Sequence, residues 1–163
     1  MPVAHLNGTD LFYIEVGEGL PCLVMHGGLG FDHTGLHPWL DPLGEQMHLI
    51  YYDHRGNGRS GRPPPETITL EQLCSDADAL REHLGIEKVA VLGYSFGGCI
   101  ALEYALCYPE RLSHLILVDT APAFDYGEER SRPTLGVREQ LQSNWRRSML
   151  RRIPTPSIGA CGS

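Results

Sequence analysis

At 163 residues the chain has the length of one domain with room for a sizeable core, and 42 % hydrophobic with 20 % charged residues is an ordinary globular balance. A formal net charge of −7 argues against nucleic acid or an anionic membrane surface as a partner. The start, Met1-Pro2-Val3-Ala4-His5, carries neither a basic cluster nor a long apolar run, so no signal peptide or membrane span is expected.

In chain order, Val3–Leu6 and Leu11–Val16 flank Asn7-Gly8, a type I′ turn signal, and read as a hairpin. Cys22–His26 is a short apolar run halted by Gly27-Gly28, the pattern of a buried strand. Residues 32–46 read as a loop or short helix, and His48–Asp53 as the next strand. That strand ends in the Gly-rich turn Arg55-Gly56-Asn57-Gly58-Arg59-Ser60-Gly61. Thr69 and Gln72 make a capping-box pair, and Leu70, Leu73, Cys74, Ala77, Leu80 and Leu84 recur at helical spacing up to a Gly85 C-cap. Val89–Gly93 is then a buried strand, Phe96–Cys107 a helix stopped before Pro109, and Leu115–Asp119 a further strand. Strands alternating with helices imply an α/β fold: an N-terminal hairpin plus a mostly parallel sheet with flanking helices.

The chain changes character near Glu129. Residues 1–129 hold 19 acidic and six basic residues, whereas 130–163 hold seven arginines and one acid. The expected division is therefore a domain over 1–129 and an Arg-rich divergent tail over 130–163. Leu135, Val137, Leu141, Trp145 and Leu150 can supply one amphipathic helix in that tail, and the remainder reads as disordered. The five cysteines have no metal or redox spacing and mostly occupy apolar positions, which points to a reduced, cytoplasmic setting. No cofactor or metal is expected.

Three elements carry chemistry. Gly93-Tyr94-Ser95-Phe96-Gly97 matches G-x-S-x-G where an apolar strand becomes a helix, the place of a nucleophile elbow. The turn there is too tight for side chains two residues either side, and it lifts the Ser95 hydroxyl over the helix N-terminus. Ser95 is thus the candidate nucleophile. His26-Gly27-Gly28-Leu29-Gly30 also follows a strand directly, and acyl transfer needs two main-chain donors aimed at an oxyanion. The amides of Phe96 and Gly28 are the candidates for that oxyanion hole, and His26 is read as a loop-bracing residue rather than the base. A dinucleotide loop would need glycine where His33 stands. Asp53-His54-Arg55-Gly56-Asn57-Gly58-Arg59-Ser60 is a tight polar turn in which Asp53 and Arg55 are expected to form a local ion pair.

These motifs, in this order, resemble the α/β-hydrolase superfamily, in particular its proline iminopeptidase-like and enol-lactonase-like members. Those enzymes carry an HGG loop, a D-x-R-G-x-G-x-S turn, and the elbow followed by a further glycine, here Gly98. The resemblance covers about residues 3–129, and Leu29 stands where proline iminopeptidases usually have proline. It implies an incomplete α/β-hydrolase fold, the N-terminal half, that attacks a carboxylic ester, lactone or amide in a small-molecule substrate through an acyl-enzyme on Ser95. Asp119, at a strand end, is a candidate acid. The last histidine is His114, and no residue matches the family's catalytic histidine. A complementing C-terminal half would supply it; the competing reading is an inactive remnant or binding module. The Arg-rich end reads as unrelated or frameshifted coding, and Leu115–Asp119 as an apolar sheet edge prone to aggregation.

Overall fold

The computed structural model describes residues 2–28 and 30–121. The tail over 130–163, with its expected helix, and Leu29 lie outside these residues. Among the described residues six strands, β1 (Val3–Leu6), β2 (Thr9–Val16), β3 (Leu20–Met25), β4 (Met47–Tyr52), β5 (Val89–Tyr94) and β6 (Leu112–Val118), form one sheet in the order β1-β2-β4-β3-β5-β6. β1–β2 and β2–β4 are antiparallel; β4–β3, β3–β5 and β5–β6 are parallel. The hairpin and the mostly parallel sheet are therefore both present.

Asn7 and Gly8 have φ of 50° and 74°, the left-handed pair that a type I′ turn requires. A two-residue loop sets the register directly: Leu6 pairs with Thr9, so β2 begins two residues before the expected Leu11. β6 begins at Leu112, three residues earlier than expected, after a register shift beside Val89 and Ala90. Among the described residues β6 pairs with β5 alone, and Leu115, Leu117 and Val118 on it are more than a third exposed.

Helices α1 (Leu70–His83) and α2 (Phe96–Cys107) pack together on one face of the sheet. Thr69 caps α1 by accepting from the Gln72 amide at 3.2 Å, and Gly85, at φ 69°, ends it. Alternate strand residues Leu23, Met25, Ile50, Tyr52 and Val91 meet Leu73, Ala77, Leu80, Ile100, Ala101 and Tyr104 there. The other alternation, Cys22, Val24, Leu49, Tyr51, Ala90 and Leu92, forms a second core layer. No α-helix covers that layer among the described residues. Leu36 and Leu40, from the segment with short 3₁₀ turns at His33–Gly35 and Asp41–Glu45, pack on it instead.

Strand order places the site. After β3 the chain adds β4 on one side, then crosses through α1 to add β5 on the other. The loops leaving the carboxyl ends of β3 and β5 thus diverge at a topological switch point, where open α/β sheets form their crevices.

Candidate active site

Ser95 occupies the turn between β5 and α2 with φ 51° and ψ −117°, a combination an L side chain adopts only when its surroundings enforce it. The enforcement is visible on both sides of its Cα. Its N–H donates to the Val118 carbonyl at 3.0 Å, and its carbonyl accepts from the Thr120 hydroxyl at 2.7 Å and the Gly98 amide at 3.0 Å. Both flanking peptide planes are therefore held by the end of β6 and the first turn of α2. The Ser95 hydroxyl makes no capping bond, although the residue stands at the N-cap of α2. The Phe96 amide opens the helix, where first-turn N–H groups have no intrahelical partner.

The glycines of the motif are there for space. A Cβ on Gly93 would lie 2.5 Å from the Gly97 carbonyl and 2.6 Å from the Gly98 Cα. One on Gly97 would run into the carbonyl of Met25 and approach that of His26 at 2.7 Å. The elbow thus sits directly on the end of β3. Gly27 completes the contact: a Cβ on it would lie 3.0 Å from the Ser95 Cβ, so the loop after β3 lies against the Ser95 side chain. Gly28 follows with φ 60°, and the ring of Phe31, 70 % exposed, covers the space where a Gly28 side chain would go.

Two further loops brace this arrangement. The Gly30 amide donates to the Asn57 side-chain oxygen at 2.6 Å, and Asn57 in turn donates to the Arg55 carbonyl at 3.0 Å. Asp53 is fully buried: one carboxylate oxygen accepts from the His33 amide and lies beside the His33 ring, both at 2.8 Å, and the other accepts from the Arg59 amide at 2.8 Å. The expected Asp53–Arg55 ion pair is not formed. The Asp53 oxygens are already taken by these donors, and Arg55 reaches across to α1. There its Nε and Nη2 grip the two oxygens of Asp76 at 2.5 and 2.6 Å. Asp76 also accepts from Asn7 and Gln72 at 3.0 and 3.1 Å, so one buried carboxylate ties the hairpin turn, the loop after β4 and α1.

His26 and His54 are both about 1 % exposed and pack with ring centroids 4.0 Å apart and planes tilted by 38°. His26 braces the loop by an Nδ1 contact with the Gly27 carbonyl at 3.0 Å. Burial lowers the pKa of both rings; for His26 the Gly27 carbonyl and the carboxylates of Asp53 and Asp32 offset it in part, whereas for His54 the neighbouring His26 reinforces it. Each folded-state pKa lies below that of the unfolded chain. Their contribution to stability is therefore complete above about pH 6.5 and is lost as pH falls. Below that pH, urea titrations should show stability falling by up to about 1.4 kcal/mol per pH unit for each histidine. A profile flat from pH 7 to 5 would contradict the buried neutral pair.

The other expected residues fall as follows. Asp119 sits exposed just past β6 with φ 45°, and makes no hydrogen bond among the described residues. None of the eight histidines is hydrogen-bonded to Ser95. His33, His37 and His48 face Asp53, Asp41 and Glu15, His5 pairs with Asp10, His83 packs on Tyr13, and His114 is exposed on β6. Asp76, His33 and the role of His54 were not read from sequence. His54 lies inside the Asp53–Ser60 turn motif, where its packing on His26, 28 residues away, leaves no local signal. Among the described residues no group of three or more His, Cys, Asp or Glu is arranged to hold a metal ion, and no helix is long and apolar enough to cross a membrane.

Comparison with known proteins agrees with this geometry. The model of the alpha/beta hydrolase fold family matches residues 21–147. The proline iminopeptidase PfmaB of Pestalotiopsis fici is 40 % identical over 129 residues, covering 76 % of this chain and 45 % of that protein. The crystal structure of the enol-lactonase from Burkholderia xenovorans superimposes with a TM-score of 0.69 at 32 % identity, over 75 % of this chain and 48 % of that one. A proline iminopeptidase-related protein from Thermus thermophilus gives 0.69 at 32 % identity, over 73 % and 44 %. The chain thus spans about half the length of the relatives it matches. With the elbow, the loop after β3 and the sheet order all in agreement, the chain belongs to the alpha/beta hydrolase fold family.

Proposed function

We propose that this chain carries the nucleophile and oxyanion-binding half of a serine hydrolase that acts on a carboxylic ester, lactone or amide of a small molecule, through an acyl-enzyme on Ser95. The observation that carries this reading is Ser95 itself: a non-glycine residue held at φ 51° between β5 and α2, hydroxyl uncommitted to the cap, with the Gly27-Gly28 loop against it. In the reaction the Ser95 oxygen attacks the carbonyl carbon, its proton passes to a base, and the amides of Gly28 and Phe96 receive the charge on the former carbonyl oxygen. The relatives named as a proline iminopeptidase and an enol-lactonase support an amide or ester bond as the target.

The base comes from sequence that complements this chain, since none of its own histidines is hydrogen-bonded to Ser95: seven are bonded or packed elsewhere and His114 lies exposed on β6; Asp119 is the candidate acid. The same observation favours a second reading, a crevice that binds carbonyl compounds without turnover. A reducing cytoplasm is the proposed setting, with Cys22 and Cys99 buried in the core as small hydrophobes. A fluorophosphonate probe separates the readings. Labelling of the purified chain, abolished in Ser95→Ala, supports a primed nucleophile. No labelling and no p-nitrophenyl ester hydrolysis would leave only the binding reading.

A further inference from the structure

We propose that His54 is a positioning residue: its main-chain N–H holds His26 in a single neutral tautomer, its ring holds the His26 carbonyl, and the two together fix the Gly27–Gly28 peptide of the oxyanion loop. The proposal rests on Gly28 as an oxyanion donor and names what sets that donor's direction.

Two hydrogen bonds run between residues 26 and 54 in opposite senses. The main-chain N–H of His54 donates to Nε2 of the His26 ring at 3.1 Å, and Nε2 of the His54 ring donates to the main-chain carbonyl of His26 at 3.1 Å. A main-chain N–H can only donate, so Nε2 of His26 must be bare. In a neutral ring the proton then sits on Nδ1, which donates to the Gly27 carbonyl at 3.0 Å. The Gly27 carbonyl and the Gly28 N–H belong to one rigid trans peptide and point in opposite directions. Holding the carbonyl against the His26 ring aims the Gly28 N–H away from it.

Charging His26 would place a second N–H at Nε2, against the N–H of His54, donor facing donor. His54 is under the same restriction. A carbonyl is an acceptor only, so its Nε2 carries the proton, and its buried Nδ1 has no hydrogen-bond partner. Protonating that nitrogen would bury an orphan donor and a charge. The titratable groups around the pair are Asp32, Asp53 and His33 near His26, and the Tyr52 ring, edge-on to His54 at 5.1 Å. The two carboxylates favour charge on His26; the burial of both rings and their mutual repulsion oppose it. The clamp also lies where it matters mechanically. The His26 carbonyl that His54 holds is one of the two carbonyl oxygens against which Gly97 of the elbow is packed. Nucleophile turn and oxyanion loop are thus referenced to the same main-chain atom.

Nitrogen-15 NMR of the full chain reads the tautomers directly. The expected spectrum has Nδ1 protonated and Nε2 bare in His26, the reverse in His54, and both rings neutral at pH about 6.5, where an ordinary imidazole is half charged. A protonated Nε2 in His26, or either ring charged at that pH, overturns the proposal. Phenylboronic acid, which adds reversibly to a serine oxygen, then probes the consequence. In the wild type it should shift the Gly28 and Phe96 amide signals. In His54→Leu, which keeps bulk but loses the ring donor, it should bind about tenfold more weakly, with the Gly28 shift lost and the Phe96 shift kept. His54→Gln retains a side-chain N–H for the His26 carbonyl, and should restore both. An unchanged Gly28 response in His54→Leu overturns the positioning role. If His54→Leu does not fold, His54→Gln with an altered His26 tautomer does so too. A wild type whose Gly28 amide ignores bound boronate instead sinks the oxyanion reading, while the tautomers still decide whether His54 orients the peptide.

Discussion

Arg55→Ala is expected to lower the unfolding free energy by about 3–5 kcal/mol, measured as a fall in the urea midpoint with unchanged slope. The Arg55 and Asp76 side chains are 2 % and 1 % exposed and joined by two short bonds. Removing the guanidinium would leave a buried carboxylate with only the Asn7 and Gln72 amides for company. A domain of this size has roughly 5–15 kcal/mol in all, so the variant should be close to unfolding at 37 °C. Arg55→Lys should not rescue it, because an ammonium cannot make the forked contact with Asp76 and also reach the Asn7 carbonyl. Arg55→Leu combined with Asp76→Leu should cost markedly less than the sum of the two single changes, because no charge is then left unpaired. Additive losses in that cycle would show that the two residues act separately.

Gly97→Ala should have the second large effect, costing upward of about 3 kcal/mol and abolishing fluorophosphonate labelling of Ser95 where the wild type labels. The added Cβ would meet carbonyl atoms of Met25 and His26, main chain at the end of a central strand that cannot move aside. The elbow would have to open, and the hydroxyl would leave its place over the helix. Gly98→Ala is the control. Its Cβ would meet the side chain of Thr120, which can rotate at the cost of the bond to the Ser95 carbonyl. It should be the milder of the two by 1 kcal/mol or more, on the order of one hydrogen bond. Equal losses would mean that the elbow tolerates crowding from β3 as well as from β6.

What the sequence made legible is what is decided locally. The hairpin turn, the bounds of α2, the N-cap of α1 and the elbow all rest on residues within four or five positions of one another. The start of β2 is decided locally as well, because a two-residue turn pairs Leu6 with Thr9. The partner of Arg55 was not. Asp53, two residues away, looked sufficient, but the choice between it and Asp76 is made only when α1 docks and the His33 and Arg59 amides claim Asp53. The same holds for the histidine clamp, since residues 26 and 54 meet only because β3 and β4 are neighbours in register. The short turns on the second sheet face likewise follow from packing, not from any periodicity in their own residues.

The two groups proposed to receive the oxyanion charge are main-chain amides, those of Gly28 and Phe96. Such donors cannot be deleted by substitution; every residue except proline brings its own N–H. Mutational sensitivity at this site is therefore displaced from the atoms that would touch the substrate to those that steer them: the glycines that permit the approach, the histidine pair and the buried carboxylates. A mutational scan of this chain should map a ring of intolerant positions set back from the crevice, around a tolerant rim.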